Sequence, residues 1–284
     1  MMKKIIVYVC ACLLLVSCGN FTSENTRSRQ LLDSGWKFYR GEANAEQPGF
    51  DDSSWRTVDL PHDFSIEDIP GTGSPFSPDA VSGINGGFTE GGIGWYRKNI
   101  FVPSSQKDKN FELYFEGAYM NTDVWVNGRH LGNHPYGYTP FVYDITDYLA
   151  YDQDNVIAVQ VKNEGNNSRW YAGSGLYRHV WLTVTNPLHI ITHGTYITTP
   201  TVTREMAEVV VETSIVNNYP SGNDVVIETV ITDDAGSRVA SIKADKKINA
   251  GNTDVFTQKT EIESPQLWSP DTPYLYNVTT RIYA

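Results

Sequence analysis

The alternation of apolar and polar residues in short segments most strongly constrains how this chain can fold. Residues 111–115, 157–161 and 180–184 place apolar side chains at every second position, which is the period of a strand that buries one face. No segment of ten or more residues repeats apolar side chains at the helical period. Asn127-Gly128 follows another apolar segment, 124–126, and predicts a two-residue hairpin turn. The pattern therefore predicts an all-β chain.

The strand pattern resets near Asn186-Pro187, which predicts two domains. Many short strands with turn residues between them, in residues 29–187, indicate a jelly-roll β-sandwich. In residues 188–284, roughly seven short strand patterns predict an immunoglobulin-like β-sandwich, although the cysteine pair of antibody domains is missing. Residues 69–94 of the first domain contain eight glycines and three prolines. They predict a long irregular loop, and such loops are usually functional or disordered.

The first 17 residues resemble a bacterial lipoprotein signal peptide. Two lysines precede an apolar run, residues 5–16, which is shorter than the roughly 20 residues of a membrane-spanning helix. Leu15-Val16-Ser17-Cys18 then resembles a lipobox, in which cleavage before the cysteine frees it for acylation. We therefore expect an exported protein that Cys18 anchors by lipid to the cell envelope, in the periplasm or at the outer membrane, with residues 18–28 as a tether. The alternative is an ordinary secretory signal with an incidental cysteine.

The composition excludes several classes of partner. Lys and Arg number 22 and Asp and Glu number 33, giving a net charge of −11 without a basic cluster, so we expect no nucleic-acid binding and membrane contact only through the lipid anchor. Cys10 and Cys12 lie in the expected signal peptide and Cys18 would be acylated, which leaves no thiol for a disulfide or a metal. The six histidines lack metal-ligand spacing, and we expect neither a metal nor a cofactor.

A series of short motifs in the first domain resembles, in order and spacing, the glycoside hydrolase family 2 enzymes of the β-galactosidase type. The motifs lie at residues 32–38, 50–56, 60–64, 94–97, 115–118, 124–128, 137–141 and 167–178. Pro61-His62-Asp63-Phe64 and Gly94-Trp95-Tyr96-Arg97 are two of them. The second domain carries weaker matches at 267–270 and 273–276.

The resemblance implies a domain order in which a jelly-roll (galactose-binding-like) sugar-binding domain and an immunoglobulin-like domain precede a catalytic TIM barrel. The barrel supplies two glutamates, because retaining hydrolysis needs a nucleophile and an acid/base with carboxyl groups about 5–5.5 Å apart. A barrel needs about 250 residues, and we expect none in this chain. The resemblance therefore implies the non-catalytic N-terminal part of an enzyme that hydrolyses O-glycosidic bonds, with no catalytic residue of its own. It also predicts an exposed apolar surface where the missing barrel docks.

Asn163-Glu164 is similar to the family's acid/base, which lies in an Asn-Glu dipeptide. In this chain the dipeptide follows an alternating strand pattern at residues 156–161, and no motif supplies a second carboxylate as its partner. We therefore predict that Asn163-Glu164 is a transition from strand to loop rather than a catalytic site.

The substrate-binding candidates are Arg169, Asn167, Trp170 and Asp63. In relatives, the loop that corresponds to residues 166–170 projects toward the active site of the barrel. Arg169 can donate two hydrogen bonds to vicinal hydroxyl groups, and Trp170 can cover the apolar face of a sugar. The alternative is that this loop packs against the barrel. Asp63 lies where relatives place a polar residue near the domain interface, and hydrogen bonding to nearby backbone is its alternative role.

Two functions remain open from the sequence. The first is the non-catalytic part of a family 2 glycosidase whose carbohydrate partner is β-galactoside-like, although glucuronidases and mannosidases share the scaffold. The second is a stand-alone envelope lipoprotein that binds glycans without catalysis. A reading frame that continues into a barrel would favour the first function.

Overall fold

The computed structural model describes residues 26–166 and 169–284. Within these residues the chain forms 16 strands and four short 3-10 helices, and it contains no α-helix. The prediction of an all-β chain made of two β-sandwiches is confirmed. In the described residues, no helix has the length and apolar character needed to span a bilayer. Cys18 and the expected signal peptide lie outside the described residues.

The first sandwich contains ten strands and the 3-10 helices. The strands are β1 (Arg27–Leu31), β2 (Trp36–Arg40), β3 (Arg56–Val58), β4 (Gly92–Val102), β5 (Asn110–Phe115), β6 (Thr122–Val126), β7 (Arg129–His134), β8 (Phe141–Asp144), β9 (Gln153–Asn163) and β10 (Val180–Thr185). The 3-10 helices are Phe64–Ile66, Gly83–Gly86, Ser104–Gln106 and Thr146–Tyr148.

These ten strands form two antiparallel sheets, of order β1-β10-β5-β8 and β3-β2-β4-β9-β6-β7. The main core lies between them, and the alternating side chains of β5 that point into it, Phe111, Leu113 and Phe115, are fully buried. Asn127 and Gly128 connect β6 to β7 with φ angles of 51° and 79°, which is the predicted hairpin turn. Local alternation and turn chemistry therefore specify much of this domain.

The last residues of the expected tether belong to the first sandwich. Arg27 and Ser28 belong to β1, where they pair with Thr185 and Val184 of β10. Strand β1 supplies hydrogen-bond partners to backbone groups of β10 that would otherwise face solvent at this sheet edge. This pairing explains why the polar residues Arg27 and Ser28 are part of the fold.

The six-stranded sheet is covered on its outer face by residues 41–55, so that β4 is buried on both sides. Trp95 packs on this outer face with Trp55 and Ala45. The almost fully buried Arg97 donates from Nε to Asp52 Oδ2 at 2.7 Å, and its guanidinium also donates to the carbonyl of Ala45. A buried guanidinium is tolerated only with such partners. The covering segment therefore fixes β4, whose first residues border the candidate site.

The second sandwich contains six strands in the described residues, one fewer than the rough number expected from the sequence. They are β11 (Leu188–Thr198), β12 (Met206–Asn217), β13 (Asn223–Thr232), β14 (Arg238–Ile248), β15 (Thr253–Glu263) and β16 (Asn277–Tyr283). They form two three-stranded antiparallel sheets, β11-β12-β15 and β14-β13-β16. Side chains from the two central strands, such as Ile215 of β12 and Ile227 of β13, meet in the core.

The two sandwiches contact each other through a bulge in β11. The register of β11 against β12 shifts between Ile190 and Thr195, and His193 has a φ of 58°. Within this bulge, Thr192 Oγ1 donates to Glu112 Oε2 at 2.5 Å, and the His193 ring lies 5.4 Å from the ring of Tyr114. The bulge therefore turns polar and aromatic side chains of β11 onto the outer face of β5.

Candidate functional site

A cleft of about 370 Å³ opens at one end of the jelly roll. One wall is formed by residues 79–92, which lead into β4, and the other by residues 163–165, Trp170 and Ala172, which lie at and after the end of β9. The two walls lie side by side because Gly92 at the start of β4 pairs with Asn163 at the end of β9. The cleft therefore depends on the register of two central strands that are well separated in sequence.

The first wall is the predicted long loop, and it has a defined conformation. Phe76 and Thr89 form an isolated β-bridge, and Ser82 Oγ donates to the carbonyl of Thr89 at 3.0 Å. Gly91 is required for a close approach, because a Cβ at this position would lie 2.1 Å from the carbonyl oxygen of Asn163. Arg40 Nη2 donates to the carbonyls of Glu90 and Gly91 at 2.9 and 3.0 Å. Backbone hydrogen bonds and a glycine contact thus hold this wall against β9.

The lining of the cleft is acidic. Asp79, Glu90 and Glu164 all contribute to it. The guanidinium of Arg40 lies 4.0 Å from the Glu90 carboxylate, but its hydrogen bonds go to backbone carbonyls behind the wall. Three acidic residues among those that line the cleft make a composition suited to sugar hydroxyl groups and unfavourable for anions.

Trp170 provides an aromatic surface at the edge of the cleft. Its side chain is 60% exposed, and its Nε1 donates to the hydroxyl of Tyr138 at 3.0 Å. The Tyr138 ring lies 5.2 Å from that of Tyr119 and 5.5 Å from that of Tyr136. Burial and the neighbouring Tyr138 raise the pKa of Tyr119 to about 12, so Tyr119 acts as a neutral hydrogen-bonding group. A held, exposed indole ring of this kind suits the apolar face of a sugar.

Asp63 lies behind this aromatic surface and joins two loops. Its Oδ1 accepts hydrogen bonds from the backbone N–H of Ser65 at 2.9 Å and of Ser174 at 2.7 Å, and the Tyr171 hydroxyl donates to its Oδ2. Burial and the Asp63 carboxylate raise the pKa of Tyr171. A Cβ at Gly173 would lie 2.5 Å from Asp63 Oδ2. Asp63 therefore positions residues 171–174 rather than projecting into the cleft.

A second hydrogen-bonded group lies beside Asp63. His62 Nδ1 lies 2.7 Å from the Tyr96 hydroxyl, and His62 Nε2 lies 2.8 Å from Glu67 Oε1. Arg56 forms an ion pair with Glu67. Burial lowers the pKa of His62 and raises the pKa of Tyr96, so the imidazole is held in its neutral form. This group fixes the turn that carries Asp63.

The structure brings three of the four predicted substrate-binding residues to this end of the jelly roll. Arg169 is exposed and precedes Trp170, which lines the cleft, and Asp63 supports the loop from behind. Asn167 lies outside the described residues.

Asn163 ends β9, as predicted for a transition from strand to loop, and it donates from Nδ2 to Ser174 Oγ at 2.8 Å. Two other features of the site were not anticipated from the sequence. The residue after Asn163, Glu164, lines the cleft, whereas the sequence indicated only a transition from strand to loop there. The contacts of His62 with Tyr96 and Glu67 were also missed, and the only available signal was that His62 and Tyr96 each lie in a family-like motif. Among the described residues, no group of three or more metal-ligating side chains occurs.

Comparison with known proteins identifies both sandwiches. Residues 30–187 match the sugar binding domain of glycosyl hydrolases family 2, and residues 189–284 match a second sequence model of glycosyl hydrolases family 2. A β-galactosidase of Bacteroides ovatus is 42% identical over 270 residues, which are 94% of this chain and 31% of that protein. A β-glucuronidase of Formosa agariphila is 30% identical over 92% of this chain and 28% of its own length.

Solved structures agree with these sequence relationships. A glycosyl hydrolase family 2 member from Bacteroides cellulosilyticus superposes with a TM-score of 0.86 and 47% identity, covering 90% of this chain and 33% of that protein. A Bacteroides uniformis β-glucuronidase gives a TM-score of 0.79 and 29% identity, covering 90% of this chain and 30% of the glucuronidase. The chain thus spans about a third of the length of these relatives, and it belongs to glycosyl hydrolase family 2.

Proposed function

We propose that this chain is the non-catalytic N-terminal part of a family 2 glycosidase that acts on neutral, β-galactoside-like substrates. In this proposal the cleft beside Trp170 forms one wall of the substrate site. The observation that carries the proposal is this cleft, which is lined by three acidic residues, by several glycines and by the exposed Trp170. The two carboxyl groups of a retaining mechanism would come from polypeptide outside the two sandwiches.

The acidic lining favours a neutral sugar over a uronic acid. Asp79, Glu90 and Glu164 border the cleft, and two like charges 4 Å apart repel by about 1 kcal/mol in water and by about 4 kcal/mol at a protein surface. A glucuronide carboxylate would meet this repulsion, whereas galactose hydroxyl groups would donate hydrogen bonds to the same oxygens. The relative that is 42% identical is a β-galactosidase, and the β-glucuronidase of Formosa agariphila is 30% identical, which supports the same choice.

An exposed apolar surface supports the proposal that a further domain covers this end of the molecule. The loop that builds the first wall carries four exposed large apolar side chains, and Ile84 reaches 80% exposure. They are Phe76, Val81, Ile84 and Phe88, and the exposed Ile66 lies just before this loop. An apolar loop of this kind in a soluble protein commonly marks an interaction site, and a catalytic barrel is the partner that the family relationship supplies.

The proposed sugar site can be tested with the 284-residue chain by saturation-transfer NMR, with methyl β-galactoside and methyl β-glucuronide as probes. We expect transfer to the galactoside, and we expect Trp170→Ala to abolish it. Trp268→Ala is a matched control, because Trp268 is 59% exposed but lies in the second sandwich. The absence of galactoside contact in the unmodified chain would contradict the proposed site.

The proposed choice of a neutral sugar has its own test. In the double variant Glu90→Gln, Glu164→Gln, contact with the glucuronide should increase relative to the galactoside, because two repulsive charges are removed. Equal contact of both sugars with the unmodified chain would refute the electrostatic argument without affecting the site itself. Release of sugar from an aryl β-galactoside by the unmodified chain would refute the non-catalytic role.

We further propose that the protein is exported and anchored by lipid at Cys18. The support is the lipobox-like Leu15-Val16-Ser17-Cys18, which follows a short apolar run. Metabolic labelling with an alkynyl fatty acid in a bacterial host should label the protein, and Cys18→Ser should remove the label. Cys12→Ser is the matched control and should keep the label. Secretion of an unlabelled, soluble protein would show that the ordinary secretory alternative is right.

A further inference from the structure

A second cavity, of about 780 Å³, lies between the two sandwiches and shares no lining residue with the cleft beside Trp170. The jelly roll contributes residues 108–110, 144, 146 and 147 to its lining, and the second sandwich contributes residues 218–220. Pro187, in the connection between the sandwiches, also lines it, and the Pro187 carbonyl accepts a hydrogen bond from the backbone N–H of Asn218 at 3.0 Å. Both sandwiches therefore border this interdomain cavity.

The jelly-roll side of the interdomain cavity carries an excess of negative charge. Three exposed aspartates line it, Asp108, Asp144 and Asp147. Burial, and then the carboxylates of Asp108 and Asp147, raise the pKa of Tyr151, so these two carboxylates lie near the same hydroxyl group. Lys109 also lines the cavity, but its Nζ already donates to Asn186 Oδ1 at 2.5 Å. Three carboxylates against one ammonium group favour a cationic ligand.

A buried amide in the same lining has no hydrogen-bond partner. Asn110 is 8% exposed, and none of the residues that the structure describes forms a hydrogen bond with its side chain. Phe111 of β5 points into the core, so the side chains of Asn110 and Glu112 point the opposite way. Glu112 contacts Thr192 of the second sandwich, so Asn110 faces the same interdomain space. Buried polar groups are almost always hydrogen-bonded, and an exception calls for an occupant such as water or an ion.

Asn110 and Asp144 are neighbours on this face of the sheet. Asp144 of β8 pairs with Glu112 of β5, and residues that pair across two strands share a face. Asn110 lies two positions before Glu112, so Asn110 and Asp144 are diagonal neighbours. Diagonal neighbours lie about 7–8 Å apart, a distance that only long side chains span directly. A cation bound to one oxygen of each side chain would bridge this gap.

We propose that the interdomain cavity binds a calcium ion through the carboxylate of Asp144 and the side-chain carbonyl of Asn110. Calcium accepts about six to eight oxygen ligands, which carboxylates, amide carbonyls and water all supply. The described residues hold no group of three or more His, Cys, Asp or Glu side chains suited to a metal. Uncharged oxygens and water therefore complete the coordination, while Asp108 and Asp147 attract the ion from nearby. The inference is independent of the proposed sugar site.

Calorimetric titration of the 284-residue chain with calcium chloride tests the site. A site with few charged ligands should bind calcium with a Kd of about 0.1–1 mM. Asn110→Asp should lower this Kd about tenfold, because it adds a carboxylate ligand. Asp144→Asn should raise the Kd by about tenfold or more, although its amide oxygen can still accept from the backbone N–H of Thr146, as Asp144 Oδ1 does. Asp245→Asn, at an exposed position of β14, is the matched control and should leave the Kd unchanged.

Thermal unfolding separates a bound ion from trapped water. Calcium at about 10 mM should raise the thermal midpoint of the unmodified chain by about 5 °C, because the ion binds only the folded state. Asn110→Asp should unfold at a lower temperature without calcium, since it buries a further carboxylate, and calcium should reverse the loss. Absence of calcium binding by the unmodified chain, or equal Kd values for it, Asn110→Asp and Asp144→Asn, would overturn the proposal. So would loss of binding in the double variant Glu90→Gln, Glu164→Gln alone, which would place the ion in the cleft beside Trp170.

Discussion

Replacing Asp63 should separate the loop that carries Trp170 from the rest of the jelly roll. Asp63 accepts hydrogen bonds from the backbone of Ser65 and Ser174 and from the Tyr171 hydroxyl. A hydrogen bond to a charged group contributes about 1.5–3 kcal/mol, and an orphaned buried donor costs about 1–3 kcal/mol. Ser174 is fully buried, whereas Tyr171 is 43% exposed, so the bond from the Tyr171 hydroxyl contributes less. We therefore expect Asp63→Ala to lower the free energy of unfolding of the jelly roll by about 3 kcal/mol.

Asp63→Asn is the conservative comparison, because its side-chain carbonyl can still accept both backbone hydrogen bonds. We expect it to cost about 1 kcal/mol. Urea titration monitored by circular dichroism would give the stabilities, and hydrogen exchange at the Ser65 and Ser174 amides would locate the change. Asp245→Ala, at an exposed position of β14, is the control and should change neither. The reasoning would be refuted if Asp63→Ala and Asp63→Asn had equal stability and unchanged protection of those two amides.

Three further predictions follow from other contacts of the jelly roll. Because burial lowers the pKa of His62 below the 6.5 of an exposed histidine, the unfolded chain binds the proton more tightly. The contribution of His62 to stability should then be complete above about pH 6.5 and should fall as the pH decreases toward the folded-state pKa. Between about pH 7.5 and 5, the free energy of unfolding should depend less on pH in His62→Gln than in the unmodified chain. An equal pH dependence in both proteins would contradict this. Gly91→Ala should lower stability by about 1–3 kcal/mol, because its Cβ would lie 2.1 Å from the carbonyl oxygen of Asn163; thermal unfolding should show the loss, while Gly49→Ala, with no heavy atom within 4 Å, should show none. Arg97→Met should lower the free energy of unfolding by about 3–5 kcal/mol, because it leaves a buried network without its cation. A loss of about 1 kcal/mol should lower the thermal midpoint by about 2–4 °C. A midpoint within about 2 °C of that of the unmodified chain would therefore show that the network contributes little.

Strands with one buried face were the most predictable part of this protein. In β5 the side chains alternate between the buried core and a half-buried outer face from Phe111 to Phe115, so the pattern is visible in a short stretch of sequence. The hairpin at Asn127-Gly128 is equally local, because both residues need a positive φ that few other residues adopt. Strand β4 shows no clean alternation at Trp95-Tyr96-Arg97, since residues 41–55 cover its outer face and bury both sides. Such cover comes from tertiary structure and leaves no periodic signal.

The candidate site was less predictable because its contacts join residues that are far apart in the sequence. Asp63 contacts Ser174 across 111 positions, and Gly91 meets Asn163 through the pairing of β4 with β9. The sequence identified the loop around Trp170 by resemblance and by residue type, and the structure adds the acidic wall that faces it. Glu164 illustrates the limit, since its role in lining the cleft follows from strand register rather than from any local motif.

Two surfaces of this chain, one on each sandwich, lack the protection found elsewhere on the same molecule. At the edges formed by β14 and β15, charged residues are frequent, as expected where a sheet edge faces water permanently. At the cleft and on the edge strand β11, in contrast, Ile84, Trp170 and Ile197 are exposed. Isolated exposed apolar residues need no explanation, but these lie where a loop and a sheet edge both lack a covering layer. A larger enzyme whose remaining polypeptide packs on both sandwiches would account for both surfaces with a single cause.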